Sequence, residues 1–265
     1  MQATETPLLW RDREAIAERL RSAPSIVLAV DFDGTLAPIV AKPDDASMPT
    51  SVREPLVALS NKRGITVAVV SGRSLEDLRE RVGIEGIGYA GNHGLELALG
   101  DGPSVPARAA EWRTVIAETV SALRTRLADV EGCTVEAKGL TATVHVRRVA
   151  DEERLTVQEV VSDTVPAIDD RLEIVSGKAI WELRPPIDWD KGSAVEAILE
   201  GASEETVAIY LGDDVTDEDA FAALNGAAVE SLSVVVGNRP VTAADYRLTG
   251  QDAVPDFLRF LAQQR

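Results

Sequence analysis

A Rossmann-like α/β fold, with a parallel-sheet core interrupted by an inserted α+β domain, is what these 265 residues predict. Three observations carry that expectation. Apolar runs at 26–30 and 207–211 are continuous rather than alternating, and 65–70 is broken only by Thr66, as in parallel strands buried on both faces. Helical segments separate them, which implies right-handed crossovers. Between residues 106 and 185 the β segments instead alternate apolar with polar and group around two helices, the pattern of a separate small domain.

Taken in order, residues 8–21 carry apolar positions at helical spacing, and Pro24 divides them from the first strand. Thr50 or Ser51 is placed to cap a helix ending near Gly64, and a second strand follows at 65–71. Ser74 caps LEDLRERV, and IGYAGN supplies a third short strand. In the insert, a long helix over 108–130 precedes CTVEAK and LTATVHVRR, a hairpin turning at Gly139. A helix at 151–165 then leads to LEIVS and AIWELR, joined at Gly177 and Lys178, and Pro185 and Pro186 mark the exit. Core character returns with the helix DKGSAVEAILEG, the strand VAIYLGDD, the helix TDEDAFAAL, the strand LSVVVG and the closing helix AVPDFLRFLAQQ. The expected division is a core of 1–105 and 186–265 around an insert of 106–185.

A formal charge of −17 argues against nucleic acid as a partner, since phosphate backbones attract a basic face. The single cysteine, Cys133, excludes an internal disulfide and a cysteine-based zinc site, and two histidines make no histidine-rich metal centre. No window reaches membrane-spanning length and the first residues are too acidic for a signal peptide, so a cytoplasmic protein without a membrane partner is expected. Only five of the 27 cationic side chains are lysines, at 42, 62, 138, 178 and 191. Such an acidic, arginine-biased composition resembles that of proteins from high-salt cytoplasms, where a retained Lys can mark a need for a compact ammonium.

The stretch LAVDFDGT sets Asp31 and Asp33 where the first strand leaves its core. Residues i and i+2 of a strand share a side, so both carboxylates face the ligand-binding edge of an open sheet and call for a cation such as Mg²⁺. A plain Asp-Gly turn accounts for the same residues. Three further pieces converge on that edge: Ser71 after the second strand with Gly72 and Arg73, which are candidate substrate-binding residues, Lys191 opening a helix, and Asp213 and Asp214 ending a later strand.

DFDGT, SGR, DKG and GDDVTDED, in that order, resemble the motifs of the haloacid dehalogenase superfamily of phosphotransferases. The resemblance implies Asp31 as nucleophile and Asp33 as acid and base. It further implies Thr35, Ser71 and Lys191 on the phosphoryl oxygens, and Mg²⁺ held by Asp31, Asp213 and the Asp33 carbonyl. Asp214 and Asp217 become outer partners of the metal or Lys191, with a helix-capping role open for Asp217. The insert is similar to the superfamily's second cap type, C2, of sugar phosphatases. GNHGLE, VEAKGLTATVHVR and GKAIWELRP resemble the trehalose-6-phosphate phosphatases, which implies a sugar phosphate substrate and a functional association with trehalose-phosphate synthase. That family reads the remote sugar through positions that map onto Glu136, Lys138, Arg147, Lys178 and Glu182, which otherwise read as cross-strand ion pairs. Asn92 and His93 are either sugar contacts or loop supports, and Arg184 either a hinge or a site residue. Hydrolysis of a sucrose or mannosylglycerate phosphate stays open, and so does a non-catalytic domain that regulates the synthase.

Overall fold

The computed structural model describes residues 6–40, 42–100, 104, 107–177 and 179–265. The chain divides into two compact units, Met1–Ser104 with Trp189–Arg265, and Val105–Asp188.

The larger unit begins with α1 (Arg13–Ser22), β1 (Ile26–Asp31), α2 (Thr50–Ser60), β2 (Ile65–Val70), α3 (Leu75–Val82), β3 (Gly88–Gly91) and β4 (Glu96–Ala98). The smaller unit holds α4 (Ala107–Ala110), α5 (Arg113–Arg126), β5 (Thr134–Ala137), β6 (Ala142–His145), α6 (Arg154–Ile168), β7 (Glu173–Gly177) and β8 (Ile180–Arg184). The chain then returns to the larger unit through α7 (Lys191–Leu199), β9 (Val207–Gly212), α8 (Asp217–Gly226), β10 (Glu230–Val236), β11 (Tyr246–Leu248) and α9 (Val254–Ala262).

The large sheet runs β11-β10-β9-β1-β2-β3-β4 and is parallel except for β4, which pairs antiparallel with β3. All six β1 residues are buried, as a central strand between β2 and β9 requires. Alternate residues enter different cores. Leu28 and Val30 join Leu20, Leu56 and Phe257, whereas Ala29 packs with Tyr210, Phe221 and Val195 from the α7–α8 side. Because strand order reverses on either side of β1, the carboxyl ends of β1, β2 and β9 open on one crevice, where doubly wound sheets bind ligands.

Local chemistry shifts three expected boundaries. Helix α2 starts at Thr50 itself, with extended Pro49 ahead of it accepting the Val52 and Arg53 amides, so neither Thr50 nor Ser51 caps it. The expected single helix over 108–130 breaks at Trp112, which is buried in the small-unit core. Residues 151–153 form a 3₁₀ turn before α6. Strands β4 and β11, three residues each, are too short to show a period.

In the smaller unit β5-β6-β8-β7 form an antiparallel sheet. One face supplies Ala142, Val144 and Leu183 to a core shared with Ile116, Leu123, Val157 and Val161 of α5 and α6. No described helix is long and apolar enough to cross a membrane.

Candidate active site

Asp31 ends β1, and the chain turns immediately: Gly34 N donates to Ala37 O, and Ala37 N to Phe32 O. Gly34 adopts φ +91°, and a Cβ there would lie 2.2 Å from Asp213 Oδ2. The Asp-Gly turn and the site are thus one feature, since only glycine lets the turn approach the second acidic loop.

Lys191, the first residue of α7, is buried and donates to Asp31 Oδ1 and Asp217 Oδ1, each at 2.6 Å. Its helix start is set by Asp190, whose carboxylate accepts the Ser193 amide in a reciprocal capping box. Asp217 is fully buried, and both its oxygens are engaged. Oδ1 also accepts from Tyr210 OH at 2.8 Å, and Oδ2 accepts the Asp213 and Asp214 amides at 2.9 Å each. It shapes the acidic loop and holds Lys191, a role that helix capping does not describe.

Asp31, Asp213 and Asp217 each offer a carboxylate oxygen within 4.8 Å of one another. Burial, reinforced by Asp217 and Asp213 and opposed by Lys191, pushes the Asp31 pKa well up. Burial, with Asp217 and Asp214, raises Asp213 to about 7. Lys191 remains protonated because the attraction of Asp217 and Asp31 outweighs the effect of its burial. One ammonium does not balance three carboxylates, so the cluster has room for more positive charge. Asp213 Oδ1 is buried without a hydrogen-bond partner, and all the donors are oxygens, the set a hard divalent cation takes. Asp217 is saturated, which leaves Asp31 and Asp213 as ligands. Asp214 is largely exposed: its carboxylate accepts the Val215 amide, with Arg239 3.8 Å away, so of the two partners expected for it Lys191 is not one.

Thr35 and Ser71 are both buried beside this cluster's strands, Thr35 with its hydroxyl unpartnered and Ser71 accepting from the Arg73 amide. Arg73 donates twice to Asp33, at 2.7 Å from Nε and 2.7 Å from Nη2, and once to Asp77 at 2.8 Å. Gly72 packs against the His93 ring; a Cβ there would lie 2.6 Å from Cε1. Asn92 and His93 both have left-handed backbones, and their amides bond Arg73 O and Ser71 O. Asn92 is fully buried with its side-chain amide on Glu96, which also accepts the Leu75 amide at the start of α3. Asn92 is therefore built into the loop that follows β3.

On the small sheet, Glu136, Thr143 and Glu182 lie side by side across β5, β6 and β8, on the face opposite Ala142, Val144 and Leu183. Lys138 Nζ is 3.7 Å from Glu182 Oε1, Arg184 donates to Glu182, and His145 bonds Glu136 at 2.7 Å. Arg147 lies in the exposed turn after β6. Lys178 is outside the described residues. Trp181 and Trp189 pack against the cores of their own units. Sequence reasoning missed Tyr210, Asp77 and Arg239, whose Nη1 donates to Asp213 O at 3.1 Å. Only Asp77 carried a signal, four residues from Arg73 on the run into α3.

The family model described as trehalose-phosphatase matches residues 29–252. The trehalose-phosphate phosphatase of Mycolicibacterium paratuberculosis is 38% identical over 245 residues, 88% of this chain but 61% of that protein. Two solved structures share the fold. The C-terminal domain of the C. albicans trehalose-6-phosphate phosphatase has a TM-score of 0.78 at 24% identity, covering 98% of this chain and 99% of that one. The C-terminal domain of the Candida albicans trehalose synthase regulatory protein has a TM-score of 0.72 at 15% identity, covering 98% and 99%. A match across 29–252 takes in the acidic cluster, Lys191 and the small-sheet carboxylates alike, and by it the chain belongs to the trehalose-phosphatase family.

Proposed function

We propose that this chain is an Mg²⁺-dependent phosphatase that hydrolyses trehalose 6-phosphate to trehalose and inorganic phosphate, the last step of trehalose biosynthesis. The observation that carries the reading is Asp31, buried at the sheet edge between Lys191 and Asp213. Asp31 attacks phosphorus and becomes an aspartyl phosphate while Asp33 protonates the departing sugar oxygen. Asp33 then takes a proton from the water that releases phosphate and restores Asp31. Thr35, Ser71 and Lys191 orient the phosphoryl oxygens, where charge is concentrated in the transition state. Mg²⁺ held by Asp31, Asp213 and the Asp33 carbonyl would supply charge neutralisation between the carboxylate and the phosphoryl group.

Glu136, Lys138 and Glu182, with Arg147 and Lys178, bind the sugar hydroxyls in this reading. A carboxylate accepts and an ammonium donates, so neighbouring residues of the two kinds suit adjacent carbons of a polyol. Association with a trehalose-phosphate synthase belongs to the same proposal, prompted by the fold shared with the regulatory-protein domain. A purely regulatory role is disfavoured by the retention of both Asp31 and Asp33. Assay of a phosphosugar panel with Mg²⁺ tests the reading: trehalose 6-phosphate should be turned over well ahead of sucrose, mannosylglycerate and glucose phosphates. Preference for any of those, or no turnover, would refute the assigned substrate.

A further inference from the structure

We propose that Arg73 is a positioning residue for Asp33, holding the acid-base carboxylate in one orientation, and is not itself a phosphate ligand. This rests on the phosphatase reading above. Three features of the structure support it. The Nε–Nη2 edge of the guanidinium makes two parallel 2.7 Å bonds to both Asp33 oxygens, the geometry that fixes a carboxylate's plane as well as its place. Arg73 is in turn braced: Nη1 donates to Asp77, and Arg81 donates to Asp77 at 2.8 and 2.9 Å. Arg81 is tied by 2.9 Å bonds to the carbonyls of Asp44 and Ala46, and the Phe32 ring lies 5.5 Å from the Arg73 guanidinium carbon. Acid and base thus alternate from Asp33 to the loop at 44–46.

Exposure follows the same direction. The Arg73 side chain is 11% exposed and that of Asp33 is 38% exposed, so the clamp sits on the protein side and the rest of the carboxylate faces outwards. Each carboxylate oxygen has a second lone pair, so accepting the fork leaves Asp33 able to carry and deliver a proton. An arginine that receives a phosphoryl group presents its fork to that group. Here the fork faces Asp33, and the remaining edge is directed at a second carboxylate.

In the first half-reaction the Asp31–phosphorus bond forms, the ester P–O bond breaks, and the departing oxygen takes the Asp33 proton. The acidity of the leaving alcohol therefore reports on Asp33. Kinetics of the unmodified chain, Arg73→Gln, Arg73→Lys, Asp33→Asn and Arg73→Gln with Asp33→Asn should be measured with Mg²⁺. The substrates would be an alkyl phosphate and aryl phosphates with phenols of graded acidity. Arg73→Gln should lower kcat roughly 10- to 100-fold on the alkyl ester, part of the span of general acid catalysis, with KM little changed. The loss should shrink towards the most acidic phenol, and it should vanish in the Asp33→Asn background because both changes act through one group. Arg73→Lys should recover only part, since an ammonium cannot form the fork. Should Arg73→Gln fold poorly, Asp77→Asn, which loosens the brace, should give the same leaving-group pattern in smaller measure. A raised KM with equal losses on every ester and in both backgrounds would overturn the role of Arg73 alone. Inactivity of the unmodified chain towards all the esters would overturn the phosphatase reading and this role with it.

Discussion

The Lys191 ammonium donates to Asp31 Oδ1 at 2.6 Å and stands the same distance from Asp217 Oδ1, with Asp213 the third carboxylate of the group. The cation that orders the site is thus outnumbered by the acids it orders.

Replacing Lys191 by Met should leave those acids buried without their partner. Metal-free protein should lose about 3–5 kcal/mol of stability at neutral pH, the usual cost of breaking a buried pair from one side. Urea melts in a chelating buffer measure this, and the loss should diminish in acid, where the carboxylates protonate. A neutral substitution at pH 7 would contradict the burial argument.

Metal-free stability should also fall as pH rises. Asp213 is about 7 in the folded chain against 3.8 for an ordinary carboxyl, so the native state holds a proton that the unfolded state has released. That contribution is fully present below about pH 4 and gone above about pH 7, since stability falls wherever the native state binds more protons. Asp213→Asn should flatten this limb in chelator-treated melts. Mg²⁺ bound as proposed should raise the melting temperature of the unmodified chain at pH 8, and Asp213→Asn should abolish that rise.

Asp31→Asn keeps the shape of the side chain and removes the carboxylate proposed as nucleophile. Turnover of any phosphate ester should drop on the order of 10⁴- to 10⁶-fold, the range seen when a catalytic nucleophile is lost. Circular dichroism should be unchanged, and normal Mg²⁺-dependent turnover would refute the covalent mechanism.

Glu182 is buried against Lys138 and Arg184. If it binds the sugar, Glu182→Ala should lower kcat/KM for trehalose 6-phosphate roughly a hundredfold or more, as loss of orienting contacts does. Hydrolysis of a small aryl phosphate should be largely spared. Parallel losses on both would mark Glu182 as a structural ion pair.

Much of the fold could be read from periodicity. The runs of β1 and β9 are apolar because every residue of each strand is buried, and in β2 only Thr66 breaks the pattern and is exposed. The motif positions were legible for a related reason: strand ends are local events, so Asp31, Ser71 and Asp213 could be placed on one sheet edge before their contacts were known. Partnership was not legible. Nothing near Arg73 in the chain says that its fork closes on Asp33, 40 residues away. Asp214 turns to solvent and Asp217 inwards although both lie in one acidic run, because the loop at 213–216 wraps its amides around a single carboxylate. The two roles left open for Asn92 could not be separated in the sequence, because its burial against Glu96 depends on a left-handed turn that carries it there. Strand period and spacing are properties of neighbours in the chain, whereas hydrogen-bond pairing and burial depend on which loops folding brings to the same crevice.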